Sequence, residues 1–107
     1  MNTVNRIAAS LVLGCLSVLG AFPSATLAAD VVKGQELYMA NCAGCHGEDG
    51  FSIMQEAPNL ARFDMINQPD ENLIEIIESG SGSMPPYIGI LNDSELLDVV
   101  SYLRTLN

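Results

Sequence analysis

The chain has 107 residues, and its first 29 hold one charged side chain, Arg6, together with 18 of the 52 apolar residues. Residues 30–107 carry all 13 carboxylates against three cations, Lys33, Arg62 and Arg104, a net charge of −10, which excludes a basic nucleic-acid-binding surface. Those 78 residues make one small domain, and a core of that size is marginal without a staple or a bound group.

Met1–Arg6 is a short basic segment, Ile7–Phe22 is apolar and uncharged, and Pro23–Ala29 ends in small residues. This is the layout of a secretory signal peptide. Cleavage after Ala28 sets Thr26 and Ala28 at the two small-residue positions, whereas cleavage after Ala29 would set the bulkier Leu27 at one of them. The expected division is therefore a cleaved leader, 1–28, and a domain, 29–107.

Two other readings of the leader compete. Ile7–Ala29 is 23 residues without a charge, long enough for an uncleaved membrane anchor, although Gly14, Gly20 and Pro23 interrupt it. Membrane contact is expected only in that case. Val12-Leu13-Gly14-Cys15 is similar to a lipoprotein processing site, but the apolar run continues past Cys15, and a lone cysteine in such a run behaves as a small hydrophobe. Export with removal of the leader leaves Cys42 and Cys45, an even pair in an oxidising compartment.

Val31–Asn41 reads as a helix with Gly34, Leu37, Tyr38 and Asn41 on one face, where the small Gly34 lets a second helix approach. From Ala43 to Pro69 the chain reads as loop, punctuated by Gly44, Gly47, Gly50, Pro58 and Pro69. That is too long for an ordinary connection, so something besides secondary structure must organise it. Pro69-Asp70-Glu71 opens a second helix whose apolar face is Leu73, Ile74 and Ile77 and which Gly80 ends. After the loop from Gly80 to Pro86, Asn92 and Glu95 form a capping box for a last helix. Its stripe is Leu96, Val99, Val100, Leu103 and Leu106, with Arg104 near the negative helix end. No run alternates as a strand does, so the fold class is small all-α.

Cys42-Ala43-Gly44-Cys45-His46 is the C-x-x-C-H sequence of c-type haem attachment. Two thiols three positions apart reach the two vinyl groups of a porphyrin, and the following imidazole then lies under the iron. The competing readings fit less well. A Cys42–Cys45 disulfide closes too small a loop to restrict the unfolded chain much. A thioredoxin-like pair wants a βαβ setting, and zinc wants four ligands where this chain offers two cysteines and its only histidine. The glycines at 44, 47 and 50 are turn residues, with no Lys-Ser/Thr after them to make a phosphate loop. Glu48-Asp49 and Glu75/Glu78 read as solvated faces. Tyr38 and Tyr102 read as aromatics at a crossing of the first and last helices, with hydroxyls reaching the surface.

Over residues 31–107 the chain resembles the small monohaem class I c-type cytochromes of bacteria. The resemblance rests on C-x-x-C-H, on Gly34 and Tyr38, on Pro58-Asn59-Leu60, on Met84-Pro85-Pro86-Tyr87, and on Asn92–Leu106 as the closing helix. It implies a cytochrome c fold of three to five helices around one covalent haem c, attached through Cys42 and Cys45, with His46 as the proximal iron ligand. It also implies that the Pro58 carbonyl accepts a hydrogen bond from the other ring nitrogen of His46, that Leu60 packs on the proximal haem face, and that Met84 is the distal ligand.

Met84 can be weighed on chemistry as well. A thioether opposite histidine raises the reduction potential, and Pro85 and Pro86 stiffen the backbone presenting it. The ordinary alternative is a methionine filling a core gap, and Met39, Met54 and Met65 are the competing sulfurs.

The reading is an exported, periplasmic electron-transfer protein with no catalytic residues, shuttling single electrons between larger redox proteins. It is expected to be a monomer or a small subunit. A dedicated cytochrome subunit of a periplasmic oxidoreductase and a haem-based sensor are the rival classes. The net charge favours redox partners with a positively charged docking surface, and Pro85-Pro86-Tyr87-Ile88 is the candidate apolar patch at the contact.

Overall fold

In the computed structural model, which describes Gly20, residues 28–62 and residues 67–106, Asp30 opens the first helix, α1 (Val31–Asn41). Its carboxylate accepts the N–H groups of Val32 and Lys33, each at 3.0 Å. Two of the donors that a helix start leaves unpaired are thereby satisfied, and such a cap is worth about 1 kcal/mol. The residues that set the leader apart, 1–19 and 21–27, lie outside the described residues. Among the described residues, no helix is long and apolar enough to cross a membrane.

The stretch expected to begin a loop instead begins with one helical turn, α2 (Ala43–His46). Cys42 makes the join: its N–H bonds the Tyr38 carbonyl, and its own carbonyl accepts from Cys45 and His46. Four residues containing a glycine carry no hydrophobic period, so the pattern had no means of marking this turn.

Helix α3 (Asp70–Ser79) runs from Pro69, with Asp70 and Glu71 in its first turn, to Gly80, and buries Leu73 and Ile77. Helix α4 (Asp93–Leu103) has both halves of the capping box in place: Glu95 N–H donates to Asn92 Oδ1 and Asn92 N–H to Glu95 Oε2, each at 3.0 Å. Leu96, Val99, Val100 and Leu103 are buried along it as the stripe requires. Leu106 lies beyond its end, in a turn where Thr105 and Leu106 bond the carbonyls of Tyr102 and Leu103. Arg104 sits at the C-cap, and its guanidinium reaches sideways to Asp70 at 2.6 Å and to the Gln68 carbonyl, tying the end of α4 to the start of α3.

The core lies where α1 crosses α4, with α3 packed against α4 from another side. Gly34 is buried at the crossing, and a Cβ there would lie 1.9 Å from the Asp98 carbonyl oxygen. Next to it the Tyr38 and Tyr102 rings meet at 5.2 Å between centroids, tilted by 55°, a separation and tilt within the favourable range for aromatic pairs. The hydroxyl of Tyr38 does not reach the surface as its sequence position suggested: the residue is 0% exposed, and its O–H donates to the Gly47 carbonyl at 2.7 Å. The chain leaving α2 folds back over this ring and supplies the acceptor. Asp98 is also buried, and its carboxylate is satisfied by the Asp30 N–H at 2.7 Å.

Gly34→Ala should therefore destabilise the protein by about 1–3 kcal/mol, the usual range for forcing extra bulk into a closed contact. Guanidinium denaturation of the haem-loaded variant measures it. A loss below about 0.5 kcal/mol, the range of surface substitutions, would show that the two helices separate freely at this point.

Candidate functional site

Cys42 at the end of α1, with Cys45 and His46 on α2, faces an apolar cleft of about 310 Å³. Leu73 and Ile77 from α3 and Val99 and Leu103 from α4 form part of its lining. The α1–α4 and α3–α4 packing that builds the core thus also builds the cleft. Burial, first, and then the neighbouring Cys45 push the Cys42 thiol up to about 11. Before any covalent attachment it is therefore neutral at physiological pH.

His46 is 7% exposed, and its Nδ1–H donates to the Pro58 carbonyl at 2.9 Å. A carbonyl oxygen only accepts, so Nδ1 carries the proton and Nε2 keeps its lone pair for a metal. Such a partner fixes both the tautomer and the ring orientation of a ligating histidine. Pro58 is itself held by the loop around α2. Ser52 N–H donates to Asn59 Oδ1 at 2.6 Å and Ser52 O–H to the Cys45 carbonyl at 3.0 Å, while the Gly50 carbonyl accepts from Leu60 and Ala61. These bonds are part of what organises the long middle segment. Leu60 is half-buried, lines the cleft and packs against the core.

Met84 comes from the loop after α3, which is pinned at several points. Ser81 and Met84 exchange backbone hydrogen bonds at 3.1 and 2.9 Å, and the N–H groups of Tyr87 and Ile88 bond the carbonyls of Ile77 and Glu78. The Tyr87 hydroxyl donates to the Asn41 carbonyl at 2.8 Å, joining this loop to the end of α1. Gly80 has φ +72°, and a Cβ there would press within 2.6 Å of the Met84 carbonyl, so the turn that starts the loop is one glycine adopts most readily. Met84 is half-buried and lines the cleft.

The competing sulfurs are placed differently. Met39 is 42% exposed on α1 and does not border the cleft. Met54 does border it, with its backbone N–H bonded to the Cys45 carbonyl. Met65 lies outside the described residues. Sequence reasoning left Glu56, Gln68, Ser81 and Ser83 out of the site, although all four border the cleft. They are polar residues in loops or at a helix start, and no spacing rule marks them.

Two thiols, an imidazole with a free Nε2 and a thioether, together around an apolar cleft, are a donor set suited to a covalently held haem. That combination on an all-α scaffold defines the class: a c-type cytochrome.

The comparisons agree. The family model described as cytochrome c oxidase, cbb3-type, subunit III matches residues 29–103. Cytochrome c6 of the cyanobacterium Synechocystis is 32% identical over 95% of this chain and 89% of its own. Cytochrome c-551 of Bacillus subtilis is 38% identical over 66% of this chain and 59% of its own. Among solved structures, cytochrome c6 of the diatom Phaeodactylum tricornutum superposes with a TM-score of 0.61 at 27% identity, covering 71% of this chain and 92% of the other.

The chain belongs to the cytochrome c6/c-551 family of monohaem class I c-type cytochromes. It is a small electron carrier and not an enzyme, and it holds one covalent haem c through the Cys42-Ala43-Gly44-Cys45-His46 motif.

With the Cys42 thiol unattached, burial first, and then Cys42, Tyr102 and Asp49, push Tyr38 from 10.0 up to about 12; burial, the largest cause, remains once Cys42 is a thioether. The folded state thus keeps the Tyr38 proton in a range where the unfolded chain has lost it. The stability this contributes is fully present below pH 10 and is lost as pH rises toward about 12. Tyr38→Phe should flatten that alkaline loss, read as the denaturation midpoint against pH. A variant whose midpoint falls as steeply as the parent's above pH 10 would show that another group is responsible.

Proposed function

We propose that this chain is an exported carrier whose axial pair is His46 and Met84 and whose redox partners dock through a positively charged surface. The observation that carries the axial assignment is that the Nδ1-protonated His46, held on Pro58, and Met84, held on a loop from a different part of the chain, border one cleft. Haem bound there supplies a one-electron iron couple.

The residues do the rest. Pro58 keeps the imidazole in the tautomer that ligates, Leu60 covers the same side with an apolar surface, and Pro85-Pro86 limit how far Met84 can swing. Met54 is the weaker candidate because its backbone is bonded to the Cys45 carbonyl. It belongs to the loop that wraps His46, whereas Met84 reaches the cleft from the loop after α3, a different part of the chain.

Export is supported by the leader pattern of residues 1–28 and by a thioether-forming motif, and the periplasm is the compartment this favours. Intact-mass spectrometry of material from the native host should give the chain from Ala29 plus one haem. An unprocessed mass would exclude the cleaved leader. In the same protein, Met84→Ala should remove the sulfur-to-iron charge-transfer band of the ferric spectrum and lower the reduction potential. Persistence of that band in Met84→Ala, with its loss in Met54→Ala, would transfer the assignment to Met54.

The partner follows from charge. With 13 carboxylates against three cations in residues 30–107, the field steers the protein toward a basic surface, over a range of about 8 Å at physiological salt. Ile88, 72% exposed beside the Met84 loop, and Pro85-Pro86 offer an apolar contact that salt does not screen. Electron-transfer rates with the physiological partner should fall with added salt and level off above zero. A steady rise with salt would mean an acidic partner.

A second reading is favoured by the matched family model, whose description names an oxidase subunit. In it the domain stays bound to one membrane oxidase, and stoichiometric co-purification with that enzyme distinguishes it from a diffusing carrier.

A further inference from the structure

The loop that carries Pro58 and the loop that carries Met84 touch each other across the cleft. Ser83 O–H donates to the Glu56 carboxylate, and both side chains border the cleft. Glu56 stands two residues before Pro58, whose carbonyl orients His46, and Ser83 stands immediately before Met84. The two partners are 27 positions apart in the chain. We propose that this Glu56–Ser83 bond is a clasp across the cleft that holds Met84 in place for the iron, which makes Glu56 and Ser83 positioning residues for the axial pair.

Each end of the clasp is anchored independently of it. On the Glu56 side, Ser52 N–H donates to Asn59 Oδ1, the Ser52 O–H is shared between the Cys45 and Met54 carbonyls, and the Met54 carbonyl also accepts from the Ala57 N–H. On the Ser83 side, the reciprocal Ser81–Met84 backbone bonds fix the turn, and Tyr87 ties the following residues to α3 and to Asn41. A hydrogen bond between two such supported loops restrains the gap between them, because neither end can follow the other if the cleft opens. The acceptor is a carboxylate, and hydrogen bonds to charged groups are the stronger kind. Both side chains are exposed and outside the core. The energy of the clasp therefore appears in the opening of the Met84 loop and little in global stability.

The inference rests on Met84 being the distal ligand, and the experiment separates the two. Haem-loaded ferric protein is titrated with imidazole at a pH above imidazole's own pKa, where the entering ligand is neutral and the charge of Glu56 does not bias it. Imidazole occupies the iron only when Met84 leaves, so its affinity reads the opening equilibrium. Ser83→Ala and Glu56→Ala should each raise that affinity about five- to tenfold. The double variant should gain no more than either single one. Glu56→Gln, which keeps an amide oxygen as acceptor, should stay closer to the parent. Denaturation midpoints should hardly move in any of these. Wild-type imidazole affinity in Ser83→Ala, or a double variant whose gain is the product of the single gains, overturns the clasp. Met84→Ala is run alongside: if it keeps the charge-transfer band, the axial reading fails and the clasp fails with it. If the band is lost there while Ser83→Ala behaves as the parent, the clasp alone is wrong.

Discussion

Where α1 crosses α4, the backbone of Gly34 lies against the carbonyl of Asp98 so closely that a methyl group has no room. The contact brings the two chain-distant helices into direct apposition, and neighbouring features depend on it. Asp98 can reach the Asp30 N–H only because the start of α1 is held beside α4. The tilted Tyr38 and Tyr102 rings meet only because the helices pass at this separation. With the crossing set, the end of α1 arrives next to Val99 and Leu103, so Cys42 faces the same cleft as the inner side of the closing helix. One small residue in the first helix thereby positions the attachment chemistry.

The cleft is the second constraint. The fully enclosed part of the core is small, with Tyr38, Leu96, Val99 and Val100 as its largest completely buried side chains. Further apolar side chains that the core does not enclose, Leu60, Ile76 and Met84 among them, also border the cleft. A domain of this size has little apolar area to spare. A haem attached at Cys42 and Cys45 therefore belongs to the fold as well as to the function: it covers surface that the chain alone leaves open. The two loops that border the cleft are built separately. The Pro58 loop is built on α2 through backbone and Ser52 bonds, while the Met84 loop is built on the end of α3. His46 and Met84 are thus each supported by their own local hydrogen-bond set.

Charge and shape divide the remaining work. Residues 30–107 carry 13 carboxylates against three cations, so the long-range field comes from the net charge and not from one pair. Among the described residues, the most exposed large apolar ones are Ile53, 75% exposed, and Ile88, 72% exposed. Ile53 lies in the loop that wraps His46, and Ile88 in the loop that presents Met84. Apolar exposure thus occurs on both loops that border the cleft.

By itself the sequence determined what local rules encode. Val31–Asn41 and the helix begun by the Asn92/Glu95 capping box follow from period and caps, and α3 from Pro69, its first-turn acids and Gly80. The haem motif follows from five consecutive residues, because its chemistry is a matter of covalent spacing. The Pro58 partner of His46 was available in advance only through family resemblance. The tertiary structure decided the helical turn at Ala43–His46, the burial of the Tyr38 hydroxyl on Gly47, the Asp30–Asp98 contact, and the meeting of Glu56 with Ser83. All but the first join groups 9 to 68 positions apart. Such pairings depend on the path of glycine-rich and proline-rich loops, which carry no hydrophobic period and whose backbone groups find partners only once the helices are packed.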